Sequence, residues 1–420
     1  MKSAAVLLIG LFLGLGCEGP PDHSDPDPEP ALEAVATGAD VLRNSGFAVL
    51  AGKRVGLIAN QTSRTGGLHL ADLLHDHPEV RLAALFGPEH GLRGDADAGL
   101  EVEDGIDDDT GVPVYSLYGD RRAPDPEVLA ELDVLVFDIQ DVGARFYTYI
   151  ATMGLAMEAA AAAGVPFVVL DRPNPLGGER VDGFVLESGF ESFVGPYPIP
   201  VQHGLTVGEL ARMIQGRSWI EGASEVDLQV IPMEGWSRAM LWPDTGLPWI
   251  PTSPNIPTFE AALVYPGMCF LEATTANEGR GTETPFLVAG APGLDGDRLA
   301  AAAGRASAGL TAEAHRYTPV SLPGRSTNPR HRDTEVMGIR LTVTNAEDVR
   351  PLALGVQVLA ELVAQVGPDA VRASGMNRLA GTERLTEALL GGRPADEIVQ
   401  SWAEEVEAFR TLRAPYLLYD

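Results

Sequence analysis

Lysine is almost missing from this chain: Lys2 and Lys53 are the only two among 420 residues. No Gly-x-x-x-x-Gly-Lys phosphate loop can therefore be built. Lys53, in Gly-Lys-Arg ahead of a β-type run, has no site-like context for Schiff-base chemistry. Cysteine is as scarce, with Cys17 and Cys269 alone, and no Cys-x-x-Cys or His-x-x-x-His spacing offers a zinc site. A Gly-x-Ser-x-Gly elbow is absent, which speaks against a serine hydrolase. Positive charge is short too: 30 Lys and Arg face 59 Asp and Glu, a formal net charge of -29. Nucleic acid and anionic membrane surfaces both need clustered positive charge, so neither is an expected partner. No apolar run has the length of a membrane span, and no internal repeat is found.

The longest apolar stretch is at the start. Residues 1–17 place Lys2 ahead of the run from Ala4 to Leu15 and end in Gly16-Cys17, which is the pattern of an export signal. Leu-Gly-Leu-Gly-Cys resembles a bacterial lipoprotein cleavage box with Cys17 as the lipidated residue, so the expected location is outside the cytoplasm. Membrane contact would run only through the lipid, with simple secretion as the alternative. Residues 18–36, rich in Pro and Asp, have nothing to bury and read as a solvated tether.

Beyond the tether, short apolar runs alternate with helical stretches. Arg54–Ala59, Val80–Phe86, Asp133–Phe137 and Pro166–Leu170 read as strands, and alanine-rich Tyr149–Ala163 as a helix stopped by Gly164. This alternation predicts an α/β fold, with a Rossmann-like parallel-sheet domain over 37–288 and a smaller C-terminal α/β domain over 289–420. In that second part, helices are expected near 297–308, 352–366 and 398–409, and a strand over Val336–Val343. Right-handed crossovers place every parallel strand's C-terminal end on one rim, where α/β proteins bind ligands.

Each of the four strands ends in polar residues. The first ends in Asn60-Gln61-Thr62-Ser63, where a dinucleotide-binding Gly-x-Gly-x-x-Gly would otherwise stand. The second delivers Glu89, His90 and Arg93 inside a Gly- and Pro-punctuated turn, the third Asp138, Gln140 and Asp141, and the fourth Asp171, Arg172 and Asn174. Arg145 and Tyr147 follow the third cluster. Three stiff loops add His203, Asn255, and Glu278 with Arg280. Carboxylates around an oxygen-rich cleft are the equipment of glycoside chemistry, in which one acid protonates the leaving oxygen and another acts as base or nucleophile. Glu89 and Glu278 have the best loop contexts, with Asp138, Asp141 and Asp171 as competitors. No cofactor is expected. The acidic stretch holding Asp95, Asp97, Asp104 and Asp107 to Asp109 lacks the spacing of a calcium loop.

Several of these motifs resemble those of the bacterial exo-β-N-acetylmuramidases, a family long carried as a domain of unknown function. The likeness rests on Gly-Leu-Ile-Ala-Asn-Gln-Thr-Ser, Phe-Gly-Pro-Glu-His-Gly-Leu-Arg-Gly and Phe-Asp-Ile-Gln-Asp-Val-Gly-Ala-Arg-Phe-Tyr-Thr-Tyr. Asp-Arg-Pro-Asn-Pro-Leu-Gly-Gly, Tyr-Pro-Gly, Asn-Glu-Gly-Arg-Gly-Thr and a closing Tyr-Leu-Leu-Tyr extend it from about Gly52 to Tyr419. It implies a Rossmann-like domain with a smaller C-terminal domain and a cleft between them. The implied activity is release of N-acetylmuramic acid from non-reducing ends of peptidoglycan fragments, with Glu89 as leading catalytic residue and Glu278 as second. Muramic acid carries a lactyl carboxylate, which a guanidinium can hold by two parallel hydrogen bonds. Arg93, Arg145, Arg172 and Arg280 are the candidate clamps. A non-catalytic lipoprotein that binds cell-wall sugars is the alternative, and a metal-dependent phosphate-ester hydrolase a third reading.

Overall fold

The computed structural model describes residue 1, residues 34–94 and residues 103–420. The leader with Cys17, the tether to residue 33, and Asp95 and Asp97 lie outside these residues. Ala34–Asp420 forms one compact unit. Val35, inside the stretch read as tether, is buried, and its N–H donates to the Thr245 carbonyl at 2.9 Å.

A seven-stranded sheet organises the N-terminal part. Its strands are β1 (Arg54–Ala59), β2 (Arg81–Gly87), β3 (Gly105–Ile106), β4 (Pro113–Ser116), β5 (Val134–Asp138), β6 (Phe167–Leu170) and β7 (Leu228–Ile231). Their order is β7-β6-β5-β1-β2-β4-β3, parallel except for β3 against β4. From β1 the chain moves one way to β2 and β4, then crosses back to β5, β6 and β7. The order therefore reverses between β1 and β5, where open α/β sheets form a crevice.

The strands read as unbroken apolar runs because both faces are covered. Val55, Leu57 and Ala59 of β1, with Val134 and Val136 of β5, enter one hydrophobic cluster, while Ile58, Leu135 and Phe137 enter the other. Alternate side chains thus feed two layers. The helices of this part are α1 (Gly38–Asn44), α2 (Leu70–Asp76), α3 (Pro126–Leu129), α4 (Tyr149–Ala163), α5 (Val207–Gly216) and α6 (Phe259–Met268). α4 has the bounds expected from its alanine run and ends on Gly164 in the left-handed region, φ 66°.

From Val288 a second, antiparallel sheet forms from β8 (Val288–Ala291), β9 (Leu310–Tyr317) and β10 (Val336–Val343), with β10 central. α7 (Gly296–Ala306) covers it, and α8 (Pro351–Val366) packs against α7 and α6. Gly267 of α6 and Gly355 of α8 bring the two helix backbones into contact, and a Cβ at Gly267 would collide with the Pro351 carbonyl. The Tyr-Pro-Gly motif therefore serves helix packing. The expected single helix over 398–409 is two, Ala395–Gln400 and Ala403–Arg413. The break falls at Trp402, whose indole N–H donates to Asp182 at 2.6 Å and whose ring packs edge-on against Phe184.

Candidate active site

The turn after β2 runs from Pro88 to Gly91, closed by the Gly91 N–H on the Pro88 carbonyl at 2.9 Å. His90, its third residue, has φ 74°, the sign that type II turns require there and that normally selects Gly or Asn. A histidine in that conformation costs roughly 1–2 kcal/mol. This strain directs Glu89, the second turn residue, outward. Its carboxylate accepts a hydrogen bond from the Thr148 hydroxyl at 3.1 Å and one from Tyr118. Burial, followed by the Glu89 charge, pushes the Tyr118 phenol up to about 12, so it stays protonated as a donor. Thr148 is also the N-cap of α4 and makes no side-chain cap to that helix. Its hydroxyl points to Glu89 instead.

Glu89 and His90 line a cavity of about 70 Å³ together with Tyr147, Asn255 and Arg280. Phe146, Tyr149, Tyr265 and Phe286 make up its aromatic side with Tyr147, and Thr148 lines it beside them. Tyr147 and Tyr149 meet edge to face at 5.0 Å, and both hydroxyls fasten to Thr252, at 2.8 Å on its hydroxyl and 2.7 Å on its carbonyl. Gln61 ties down the same segment through the Pro251 and Thr252 carbonyls at 2.8 and 3.2 Å. Arg280 crosses the face of Phe286 at 5.7 Å and is held by Glu272 at 2.8 Å and Glu278 at 3.2 Å. Glu278 is 4% exposed, with one oxygen on Arg280 and the other on Arg330 at 3.3 Å. Burial raises its pKa. It stands behind the cavity as the support of Arg280.

The remaining sequence candidates do not line this cavity, and most make hydrogen bonds elsewhere. Arg93 is taken by Asp72 and Asp107, both at 2.8 Å, and Asp109 at 3.3 Å. Arg145 is fully buried and donates to the Phe184, Ile199 and Leu379 carbonyls at 2.7–2.9 Å, and burial brings its pKa down to about 9. Arg172 closes on Asp138 through two hydrogen bonds of 2.6 and 2.9 Å. Three of the four expected lactyl clamps are thus structural, and only Arg280 reaches the cavity. Asn60 folds back onto Thr62 at 2.9 Å, and Asn174 bridges Leu176 and Leu205 at 3.0 Å. Gln140 donates to the Asp141 and Pro173 carbonyls at 2.8 and 2.7 Å. With Arg172 it lines a separate, mainly apolar pocket beside Trp242.

His203 is 1% exposed and accepts from the Leu205 N–H at 3.1 Å. Burial, reinforced by Arg413 and Arg145, lowers its pKa to about 3. The competing carboxyls Asp141 and Asp171 are pushed up to about 7 and about 6 by burial. Asp171 is fixed by Tyr419, Thr206 and Gly208 at 2.6–2.8 Å. Asp107 and Asp104, once weighed for calcium, bind Arg93 and Arg121. Thr148, Tyr265 and Phe286 line the cavity and Tyr118 bonds Glu89, though none of the four stood among the sequence candidates. Thr148 stood inside the Arg-Phe-Tyr-Thr-Tyr run, while Tyr118 carried no signal.

A strand-end carboxylate held by hydroxyls, flanked by aromatic rings and one guanidinium, defines the class: a glycosidase on an α/β scaffold. A family model described as the exo-β-N-acetylmuramidase NamZ N-terminal domain matches residues 55–260, and the corresponding C-terminal model matches 263–419. The peptidoglycan β-N-acetylmuramidase NamZ of Bacillus subtilis (strain 168) is 42% identical over 390 residues, 92% of this chain and 91% of that protein. Two crystal structures of DUF1343 family proteins from Bacteroides fragilis superpose with TM-scores of 0.84 and 0.75 at 36% and 33% identity. They cover 93% and 92% of this chain, and 100% and 99% of their own. The chain belongs to the NamZ exo-β-N-acetylmuramidase family.

Proposed function

We propose that the protein is an exported, exo-acting β-N-acetylmuramidase that removes N-acetylmuramic acid from the non-reducing ends of peptidoglycan fragments. Glu89 is its acid/base carboxyl. The observation that carries this reading is the strained turn, in which a left-handed His90 presents Glu89 to a cavity walled by aromatic rings and Arg280. Among the described residues lining that cavity, Glu89 is the single carboxylate. Glu278 has each oxygen on a guanidinium, so the second catalytic group is assigned to the substrate's own acetamido oxygen.

In the first step Glu89 gives its proton to the glycosidic oxygen as the bond to the anomeric carbon breaks and the acetamido oxygen bonds to that carbon. In the second, Glu89 takes a proton from water as the water oxygen displaces the acetamido group. Arg280 pairs with the lactyl carboxylate, which a glucosaminyl unit lacks. The leader and Cys17 support export with a lipid anchor. The test is incubation of the mature protein with a peptide-free disaccharide bearing N-acetylmuramic acid at its non-reducing end, followed by mass spectrometry. Free N-acetylmuramic acid is the expected product. Saturable calorimetric binding with no product would replace this reading by that of a non-catalytic binder of cell-wall sugars.

A further inference from the structure

The cavity beside Glu89, at about 70 Å³, is far below the ~300–1,000 Å³ of typical small-molecule sites. The space lies next to it. A groove of about 660 Å³ runs along α4, lined on the helix by Ala151, Leu155 and Glu158, which lie on one helical face. Two measures fix its distance from the carboxylate. Thr148, bonded to Glu89, precedes Ala151 by three residues, about 4.5 Å of helical rise, and Glu158 lies about 15 Å from Thr148. Tyr118, also bonded to Glu89, precedes the lining residue Asp120 by two residues, at most about 7 Å of chain.

The opposite wall is aromatic. Phe193 is half-buried, 6.3 Å from the Tyr118 ring, and is covered on one side by Arg122 at 4.5 Å. Trp219, also half-buried, lies parallel to Tyr197 at 5.7 Å. Tyr197 is seated by Gly154, where any Cβ on α4 would collide with its hydroxyl. A glycine inside a helix costs about 1 kcal/mol against alanine, so the helix gives up stability to back the Trp219 ring. Asp120, Glu158 and Glu191 outnumber Arg122 along the groove, and carboxylates accept hydrogen bonds from neutral sugar hydroxyls.

We propose that this groove binds the glycan chain on the leaving-group side of the scissile bond, its sugar rings lying on Phe193 and Trp219. The inference rests on the muramidase reading, because it takes Glu89, bonded to Thr148 and Tyr118 just short of the groove's lining, as the point of cleavage. A chain held this way leaves only its terminal residue beyond Glu89, which suits removal of one unit at a time.

The test compares kcat/KM for wild type, Phe193→Ala and Trp219→Ala on three substrates: a chromogenic N-acetylmuramide, peptide-free glycan fragments of increasing length, and the same fragments carrying peptides. Wild type gains with glycan length. Each variant loses about three- to tenfold on the long peptide-free fragments and keeps wild-type turnover of the chromogenic compound, which also reports folding. Leu155→Trp, which fills the groove from α4, behaves likewise. Losses equal on all substrates, or length dependence only with peptides attached, would overturn the proposal, the second outcome making a peptide the occupant. Calorimetric titration of the long peptide-free fragments into Glu89→Gln protein, with and without Phe193→Ala, reads the groove independently of turnover. Unchanged affinity there would also overturn it, whereas an inert wild type would count against the muramidase reading alone.

Discussion

At the ends of β5 and β6, Asp138 and Arg172 are buried at 0% and 5% exposure and satisfy each other through two hydrogen bonds. At the end of β2, on the same rim, Glu89 stays half-exposed, faces a cavity and accepts a hydrogen bond from the Thr148 hydroxyl. In sequence the two clusters look alike, since each is an acid and an arginine behind an apolar run. The difference lies in where the guanidinium finds its partner. Arg172 finds it across the rim, Arg93 turns away to Asp72 and Asp107, and Glu89 accepts from the Thr148 hydroxyl where it lines a cavity. What separates the two clusters is that Asp138 and Arg172 close on each other in the buried interior, whereas Glu89 lines a cavity.

The sharpest way to break this comparison is to remove the charge on each side. Glu89→Gln is expected to lower kcat on muramyl substrates by roughly 10²–10⁴-fold while the melting temperature stays at the wild-type value. Arg172→Met leaves Asp138 as an uncompensated buried charge and is expected to cost about 3–5 kcal/mol of stability, read by denaturant unfolding, with activity per folded molecule retained. Equal stability losses for the two variants would erase the distinction.

His203 extends the structural side of the comparison to pH. Its folded pKa, about 3, lies below its ordinary 6.5, so the neutral ring is the one the fold accommodates. Its contribution is complete above pH 6.5 and is lost as pH falls from 6.5 toward 3, on the order of 5 kcal/mol over the window. His203→Asn should flatten the dependence of stability on pH across that range. A slope equal to wild type would contradict the assignment.

Two smaller effects sharpen the site side. Arg280→Ala is expected to raise KM for muramyl substrates by about tenfold and to leave KM for a glucosaminyl analogue nearly unchanged. An equal rise on both would remove the lactyl clamp. His90→Gly relieves the left-handed strain but also removes a buried side chain, and reduced turnover is expected because the turn no longer fixes Glu89; wild-type turnover would count against that role.

Much of the fold was legible because the central strands of the parallel sheet are buried on both faces. An unbroken apolar run marked the bounds of β1, apolar residues interrupted by exposed Arg340 and Thr342 marked β10, and the alanine run with Gly164 marked α4. The Glu89 turn was legible for the same reason, as the abrupt stop of such a run. What could not be read was partnership at long separation. Arg145 meets the Leu379 carbonyl 234 positions away, and Trp402 meets Asp182 across 220. Neither distance leaves a trace in periodicity or composition, so a structural arginine and a ligand-binding one look the same on paper. Tyr118, Phe193 and Trp219 sit in loops where no repeat marks them, and only the folded chain aligns them along α4.

The central claim is that Glu89 is the acid/base of a muramyl hydrolase, and one measurement tests it most directly. It is the pre-steady-state and steady-state hydrolysis of a chromogenic N-acetylmuramide by wild type and Glu89→Gln, on samples with matched melting curves. The account predicts turnover by wild type and a loss of roughly 10²–10⁴-fold in the variant. Full turnover by Glu89→Gln would contradict it.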